Sequence, residues 1–342
     1  MLSTDAFDYD LPLSSIAQHP AEPRDACRLL VLHRRDASLS HHLFRDLPDL
    51  LQPGDLLVLN DTQVIPARLH VRKLPGGGKA EILLLTQQEQ ERDWEAWIGG
   101  AGMTERRRFE VTDEFGGIIL AVLLDGRRLI RFDAPVSEWL ERYGEMPLPP
   151  YIHEPLLDPS DYQTVYARRA GSAAAPTAGL HFTPQLLERV RASGIGIVTT
   201  TLHVGLDTFA PVKEDDPRRH PIHTEWCQLD SAAAEQIRAA RRQGHRVVAV
   251  GTTSVRTLET SARQAGQGEI VAPFAGPTDL YILPGFSFQV VDGMLTNFHL
   301  PRSTLLMLVS AFAGRESVLH AYAIAQEAGY RFYSFGDAML IL

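Results

Sequence analysis

The spacing of apolar residues along the chain divides it into three zones. In residues 1–69, apolar runs at 28–33 and 55–60 have the length of strands and are bounded by turn-forming residues, so they predict two strands. Residues 43–51 between them predict a short helix that ends before a Pro-Gly pair. This zone therefore combines strand and helix signals.

The second zone, residues 70–147, has the pattern of an all-β structure. Its apolar runs have strand length, and glycine-rich turn signals separate them. Short strands at this spacing are typical of a small barrel or sandwich. A short helix at 136–143 and a proline-rich stretch end the zone. The predicted strands lie at residues 80–85, 94–98, 118–123 and 128–132.

The third zone alternates helices and strands. Thr183 stands before a proline and predicts a helix start, because a hydroxyl N-cap followed by proline is a common beginning of a helix. Ser231 is the predicted N-cap of the next helix. Residues 195–204 and 246–250 predict strands, and residues 254–265 predict a helix. This alternation indicates an α/β layered sheet.

These zones predict the fold and its organisation. The predicted fold class is α/β: a layered mixed-sheet α/β domain with an inserted small β-barrel domain. We expect residues 1–69 and 148–342 to form the discontinuous α/β domain and residues 70–147 to form the barrel. A length of 342 residues fits about two domains.

Composition and charge narrow the class of protein. Hydrophobic residues make up 44% of the chain and charged residues 22%, which excludes wholesale disorder. The net charge of −9 disfavours a protein with a uniformly basic surface, although Arg pairs along the chain leave local basic patches for RNA phosphates open. Two distant cysteines, Cys27 and Cys227, indicate no disulfide framework. Without a signal peptide or a membrane-length apolar run, we expect a cytoplasmic protein.

One strand–turn–helix segment predicts an anion-binding site. Residues 247–250 form the strand, and Thr252, Thr253, Ser254 and Arg256 follow the turn. A helix N-terminus offers free backbone N–H groups and a partial positive charge, and an arginine adds a bidentate contact. An ordinary helix cap beside a surface arginine is the alternative.

Three histidines stand beside small or hydroxyl residues. His181 follows a run of small residues that contains Thr177, His203 ends a predicted strand, and His299 follows Asn297 in a loop. Ligands of open α/β sheets bind beyond the carboxyl ends of strands, which favours a functional role for His203. A lone histidine is more often structural, and that alternative stays open for each.

Other candidates carry weaker signals. Asp61 and Arg68 follow a buried strand and are candidate substrate-binding residues, although a turn cap explains Asp61 equally well. His220, His223 and Glu225 do not have helical zinc-ligand spacing, so we expect no metal. The chain also lacks GxGxxG after its first strand, and it lacks the GxxxxGK[ST], GxSxG and HExxH motifs, which disfavours a common dinucleotide or P-loop nucleotide enzyme.

Together, these segments resemble one known family, the S-adenosylmethionine:tRNA ribosyltransferase-isomerases of queuosine biosynthesis. The resemblance covers nearly the whole chain, in order. Two departures are Ser172, where alanine is more usual, and Asp207, where glycine is. The segments are FDY with LP at 7–12, LNDT with VIPAR at 59–68, EMPLPPYI at 145–152, YQTVYA at 162–167, AAPTAGLHFT at 174–183, LHVG at 202–205, VGTTSVR at 250–256, TNFHLPRSTL at 296–305 and YRFYSFGDAM at 330–339.

The resemblance implies an activity. Such an enzyme transfers and isomerises the ribosyl part of S-adenosylmethionine onto 7-aminomethyl-7-deazaguanine at the tRNA wobble position. The products are epoxyqueuosine in tRNA, adenine and methionine. S-adenosylmethionine is a consumed co-substrate, so no cofactor is expected. The expected partners are tRNA and S-adenosylmethionine, with no membrane and a monomeric chain.

The chemistry of that reaction suggests roles for the candidates. A base must take a proton from the carbon beside the sulfonium, and adenine departs more readily when its ring is protonated. We hypothesise that His181, His203 and His299 supply proton transfer. Thr252, Thr253, Ser254 and Arg256 would hold the methionine carboxylate or an RNA phosphate, and Asp61 would face the ribose or the sulfonium. Arg68, Thr177 and Asn297 complete the predicted substrate-binding set.

Two alternatives differ from this hypothesis in their products. A tRNA methyltransferase would release S-adenosylhomocysteine, and a non-catalytic RNA-binding protein would leave S-adenosylmethionine intact. The missing glycine-rich turn weighs against the first, and the histidine and hydroxyl blocks weigh against the second.

Overall fold

The computed structural model describes residues 2–123, 126–156, 158–205 and 211–342. It divides into two compact units. The larger comprises Met1–Thr62, Pro150–Arg169 and Ala175–Leu342, and the smaller comprises Gln63–Pro149 and Ala170–Ala174. Residues 63–69 therefore lie with the smaller unit, whereas the sequence boundary was expected after residue 69.

Strands and helices alternate through most of the larger unit, whereas the smaller unit consists mainly of strands. The bounds of the elements in both units are as follows. The strands are β1 (Arg28–Leu32), β2 (Leu39–Leu43), β3 (Leu56–Asn60), β4 (Thr62–Val64), β5 (Arg68–Leu74), β6 (Lys79–Gln87), β7 (Asp93–Gly99), β8 (Arg108–Thr112), β9 (Phe115–Val122), β10 (Arg128–Phe132), β11 (Gly144–Glu145), β12 (Arg169–Ser172), β13 (Gly196–Leu202), β14 (Glu225–Leu229), β15 (Val247–Val250), β16 (Phe274–Thr278), β17 (Gly293–Asn297) and β18 (Ala338–Ile341). The α-helices are α1 (Leu47–Leu50), α2 (Ser137–Tyr143), α3 (Pro184–Ala192), α4 (Ser231–Arg242), α5 (Gly251–Arg263), α6 (Thr304–Ala313) and α7 (Arg315–Glu327). The smaller unit contains β5 to β11 and α2.

A mixed sheet of nine strands organises the described part of the larger unit, in the order β16-β14-β13-β3-β15-β17-β18-β1-β2. The four central strands β13, β3, β15 and β17 are parallel to their neighbours within that group, while β14, β16 and β2 pair antiparallel. Parallel strands end at the same edge of a sheet, so the residues after these four strands share one edge.

Alternation along the central strands builds a core on each face of the sheet. In β3, Val58 faces one core, which includes Val255 of α5 and Leu306 of α6. Leu57 and Leu59 face the other core, which includes apolar residues of α3 such as Val190. Because both faces are covered, β3 is buried along its whole length, which explains its nearly continuous apolar sequence.

The smaller unit contains a closed antiparallel barrel. Its six strands follow the order β5-β6-β7-β10-β9-β8, and a further pairing of β5 with β8 closes the ring. Phe109, Phe115 and Phe132 pack in its core, with Phe115 and Phe132 stacked at 5.3 Å between ring centroids. The predicted α/β fold with an inserted barrel is confirmed.

Of the three predicted helix starts, that of α3 is confirmed and those of α4 and α5 need correction. Thr183 caps α3, since its hydroxyl accepts a hydrogen bond from the Leu186 N–H. The cap of α4 is Asp230 rather than Ser231, because the Asp230 carboxylate accepts from the Ala233 N–H. Helix α5 begins at Gly251, three residues before the predicted Ser254, because the positive φ of 84° at this glycine turns the chain directly from β15.

Both cysteines are free and buried. Within the described residues, no helix is both long and apolar enough to cross a lipid bilayer.

The reassigned cap of α4 is testable by mutation. Asp230→Ala removes the side-chain acceptor at the helix start, so we expect it to lower the free energy of unfolding by about 1 kcal/mol. Ser231→Ala is the matched control and should change that energy by only a few tenths. Urea unfolding followed by circular dichroism measures both, and a larger loss for Ser231→Ala would contradict the reassignment.

Candidate functional site at the carboxyl edge of the sheet

The predicted site residues of the larger unit gather at the carboxyl ends of the four parallel strands. Asn60 ends β3, and Asn297 ends β17. His203 directly follows β13, while Gly251 directly follows β15 and begins α5. The structure therefore brings distant segments to one edge, which the argument from strand ends predicts for His203.

Asn297 holds this edge together through its side-chain amide. Its nitrogen donates to the Tyr333 carbonyl oxygen at 3.1 Å and to Nε2 of His181 at 3.0 Å, and its oxygen accepts from the Thr177 hydroxyl at 3.1 Å. A carbonyl can only accept, so the Tyr333 contact fixes the orientation of the amide. Nε2 of His181 must then accept as well, which places the proton of the neutral ring on Nδ1.

His181 lies behind Asn297 in a fully protein-bonded position. Nδ1 contacts Sγ of Cys27 at 3.3 Å, and the side chain is buried against Phe44. Burial, together with the nearby Arg331 and Arg24 guanidinium groups, lowers the pKa of His181 to about 3. The ring therefore stays neutral across the physiological range, with both nitrogens engaged by protein groups.

His299 occupies a different position, on a cavity wall. Nε2 lies 3.2 Å from the Thr296 hydroxyl, and Nδ1 lies 3.4 Å from the Tyr322 hydroxyl. The Tyr322 hydroxyl also accepts from the His299 backbone N–H at 3.0 Å. Burial lowers the pKa of His299 to about 3. The ring of His299 is therefore neutral and lines a cavity, and both of its nitrogens lie near protein hydroxyl groups.

The N-terminus of α5 is open toward the same cavity. Its N-cap residue, Val250, offers no side-chain acceptor, so the first N–H groups of the helix lack a side-chain cap. The Thr253 hydroxyl is buried and has no hydrogen-bond partner among the described residues. Ser254 differs from the prediction: its hydroxyl donates to the Val250 carbonyl at 2.7 Å, inside the first turn, and it does not line this cavity.

Three small cavities lie side by side at this edge, and Leu305 lines all of them. Each has a volume of ≈ 30 Å³, close to the share of one water molecule in the liquid. We name them by their polar residues. The threonine cavity contains Thr177, Thr252, Thr253, Asn297 and His299; the tyrosine cavity contains Tyr151, Tyr333 and Ser334, and shares Thr177, Asn297 and His299; the arginine cavity contains Arg256, Glu225, His220, His223, Tyr281 and Thr304.

The tyrosine cavity contains residues that sequence reasoning did not select. The rings of Tyr151 and Tyr333 lie 4.6 Å apart between centroids, and the Tyr151 hydroxyl lies 2.6 Å from Oγ of Ser334. Tyr333 has a φ of 71°, a left-handed conformation that is costly for a bulky residue. In this conformation, the Tyr333 carbonyl oxygen accepts the hydrogen bond from the Asn297 amide. The sequence signal that could have identified this cavity is the Tyr-Ser pair at positions 333 and 334, within the segment YRFYSFGDAM.

His203 and Asp61 lie outside these three cavities. Nδ1 of His203 lies 2.8 Å from the Thr62 hydroxyl, and its ring stacks on Trp226 with 5.4 Å between centroids. Burial lowers the pKa of His203, partly offset by Asp61. The Asp61 carboxylate is itself taken by the protein, since it accepts from Arg168 at 2.8 Å and from the Thr201 hydroxyl at 2.7 Å.

Arg68 belongs to strand β5 of the smaller unit, where its guanidinium lies 3.7 Å from the Glu81 carboxylate.

A larger cavity of the larger unit, ≈ 550 Å³, contains none of the predicted site residues. Arg168, Arg191 and Asp230 line it together with apolar residues.

Comparison with known proteins assigns the chain to a family. A family model described as queuosine biosynthesis protein matches residues 4–341. The chain belongs to this queuosine biosynthesis family. It is 55% identical to an S-adenosylmethionine:tRNA ribosyltransferase-isomerase of Moorella thermoacetica and 49% identical to one of Staphylococcus haemolyticus, covering 98% and 100% of both chains respectively. It also resembles the crystal structure of S-adenosylmethionine tRNA ribosyltransferase from Thermotoga maritima, with a TM-score of 0.58 and 39% identity, covering 98% of this chain and 100% of that one.

The sequence departs from the family pattern at Ser172 and at Asp207. Ser172 of this queuosine-family protein is buried, and its hydroxyl donates to the Ala174 carbonyl at 2.7 Å. This bond satisfies the hydroxyl, so the replacement of alanine is accommodated locally. Asp207 lies outside the described residues.

The buried histidines predict a pH dependence of stability. Below its ordinary pKa of 6.5, an unfolded histidine takes up a proton that His181 and His299 refuse when folded. Stability should therefore be complete above about pH 6.5 and fall as the pH drops toward 3, by up to about 1.4 kcal/mol per pH unit for each histidine. Urea unfolding at pH 7.5 and 5.5 measures the slope. His181→Gln should reduce it, and an unchanged slope in that variant would contradict the neutral, buried assignment.

Proposed function

We propose that this protein is an S-adenosylmethionine:tRNA ribosyltransferase-isomerase. It transfers and isomerises the ribosyl moiety of S-adenosylmethionine onto 7-aminomethyl-7-deazaguanine at the tRNA wobble position. The products are epoxyqueuosine in tRNA, adenine and methionine. The observation that carries this conclusion is the full-length similarity to several curated enzymes of that name, at about half of all positions.

We assign the ribosyl part of the co-substrate to the threonine cavity. The Thr177 hydroxyl gives its proton to Asn297, so its oxygen is left as an acceptor for a sugar hydroxyl. The Thr253 hydroxyl and the uncapped N–H groups of α5 supply donors in the same cavity. A cavity with both acceptors and donors suits a polyhydroxylated ring.

His299 is the best-placed group for proton transfer, because its neutral ring lines the threonine and tyrosine cavities. Abstraction of a proton beside a sulfonium needs a base that is unprotonated and close, and burial provides the first condition. His181 touches the cavity only through Asn297, so we assign it as a positioning residue rather than a proton carrier.

Binding requires the small cavities to join. S-adenosylmethionine is far larger than a space of one water molecule, and Leu305 is the side chain that all three cavities share. Leu305 is partly exposed at the start of α6, where a change of rotamer costs little. We therefore propose that Leu305 moves when the co-substrate enters.

The RNA partner would use the outer part of this edge. His203 stacks on Trp226, whose side chain is 37% exposed, and such aromatic faces stack on the splayed bases of an anticodon loop. Arg168 is held by buried Asp61, yet 65% of its side chain is exposed, which suits a phosphate.

We also propose that Arg68 contacts the tRNA. We further propose that the chain is a monomer and that it is located in the cytoplasm, where tRNA and S-adenosylmethionine occur together.

A product assay tests the activity. The purified protein is mixed with S-adenosylmethionine and tRNA that carries 7-aminomethyl-7-deazaguanine, and the digested RNA is analysed by mass spectrometry. We expect free adenine and epoxyqueuosine together. S-adenosylhomocysteine with a methyl gain in the RNA would instead establish a methyltransferase, and bound tRNA with intact S-adenosylmethionine would indicate a non-catalytic binder.

The role of His299 is tested by His299→Gln. If its ring moves the proton, adenine release should fall by roughly 10²–10⁴-fold with little change in the unfolding temperature. His320→Gln is the matched control, because His320 is exposed on α7 and should retain the full rate. His181→Gln should keep the shape of the pH–rate profile, since a positioning residue does not titrate in the reaction. A full rate in His299→Gln would refute the assignment.

A further inference from the structure

Arg256 is buried in an unusual state in the arginine cavity. Its relative exposure is 6%, its Nε donates to the Leu280 carbonyl at 3.0 Å, and its Nη1 pairs with the Glu225 carboxylate. Nη2 is buried and has no hydrogen-bond partner among the described residues. An unsatisfied donor of a buried cation is costly, so a structure that retains one needs a reason.

The surroundings of that donor select an anion. Burial lowers the pKa of Arg256 only to about 10, so the guanidinium remains charged at neutral pH. The N-terminus of α6, a helix of ten residues, reaches the same cavity at Thr304, and Tyr281 is a further lining residue. A second cation is disfavoured here, although His220, His223 and Glu225 line the cavity, because the guanidinium already occupies the position beside Glu225.

The size and lining of the cavity favour a carboxylate over an RNA phosphate. Leu280, Ile282 and Leu308 make much of the wall, and the space is ≈ 30 Å³. A phosphodiester is tethered by sugars on both sides, so it approaches a buried donor such as Nη2 of Arg256 less readily than a carboxylate at the end of a flexible chain does.

The arginine cavity adjoins the threonine cavity, because Leu305 lines both. Thr252 and Arg256 are four residues apart on α5, so they lie on one face of the helix, with about 6 Å between their backbone positions along the axis. The chain from the sulfur of a methionyl group to its carboxyl carbon spans about 5 Å. Leu305, which lines both cavities, would contact the methylene groups between them.

We propose that the arginine cavity binds the α-carboxylate of the methionyl group of S-adenosylmethionine, with Arg256 Nη2 as its principal donor. This inference rests on the proposed function. It divides the predicted anion-binding site at the start of α5 between two parts of S-adenosylmethionine. Thr252 and Thr253 face the ribosyl group, and Arg256 binds the carboxylate of the methionyl group.

The test compares S-adenosylmethionine with its decarboxylated analogue, which lacks only the carboxylate. In the wild-type protein, we expect the analogue to raise the KM of adenine release by about 10- to 100-fold, the range for a lost charge-assisted hydrogen bond. In Arg256→Lys, the KM for S-adenosylmethionine should rise by a similar factor, while the KM for the analogue should change by less than about threefold. The preference for the carboxylate should thus largely disappear in the variant.

Controls separate the possible failures. Arg263→Lys changes an exposed arginine of the same helix and should keep the wild-type preference. Equal KM values for the two compounds in the wild-type protein would overturn the inference without any variant, as would an undiminished preference in Arg256→Lys. If wild-type protein releases no adenine, the proposed function fails; equilibrium dialysis of the two compounds then decides the inference alone, with tighter binding of the carboxylate form expected. Inorganic phosphate is the probe for the alternative. If phosphate weakens tRNA binding and leaves S-adenosylmethionine binding unchanged, the arginine cavity binds RNA and the inference is overturned.

Discussion

The orientation of the Asn297 amide is the constraint on which the site depends. One side chain satisfies a backbone carbonyl, a histidine nitrogen and a threonine hydroxyl, and it leaves none of these groups free to rotate. Because the Tyr333 carbonyl can only accept, every other hydrogen bond of the network has a determined direction. The network thereby sets which hydroxyl lone pairs face the threonine cavity before any ligand arrives.

The parallel centre of the sheet explains why these residues meet. Each of the four strands delivers a polar segment to the same edge, and β3, β15 and β17 are buried along their whole length. The N-termini of α5 and α6 open toward adjacent cavities at that edge, so their partial positive charges favour an anionic or polar ligand. Leu305, a partly exposed apolar side chain, lies where the three cavities meet.

Much of this arrangement could be predicted from local sequence. The buried strand β3, the cap of α3 and the tight turn between β15 and α5 follow from short-range rules, and the strand-end argument applied to His203, which directly follows β13. Pairing across distant segments could not be predicted. The Glu225 partner of Arg256, the Cys27 contact of His181 and the left-handed Tyr333 depend on tertiary packing, so the sequence could not distinguish a buried positioning histidine from one that lines a cavity.

A crystal structure of the protein with S-adenosylmethionine bound is the most direct measurement of this account. We expect the ribosyl group beside Thr177, Thr253 and His299, with Leu305 displaced so that the cavities join. Density for the ligand in the larger cleft lined by Arg168 and Arg191, with Leu305 and the Asn297 network unchanged, would contradict the account.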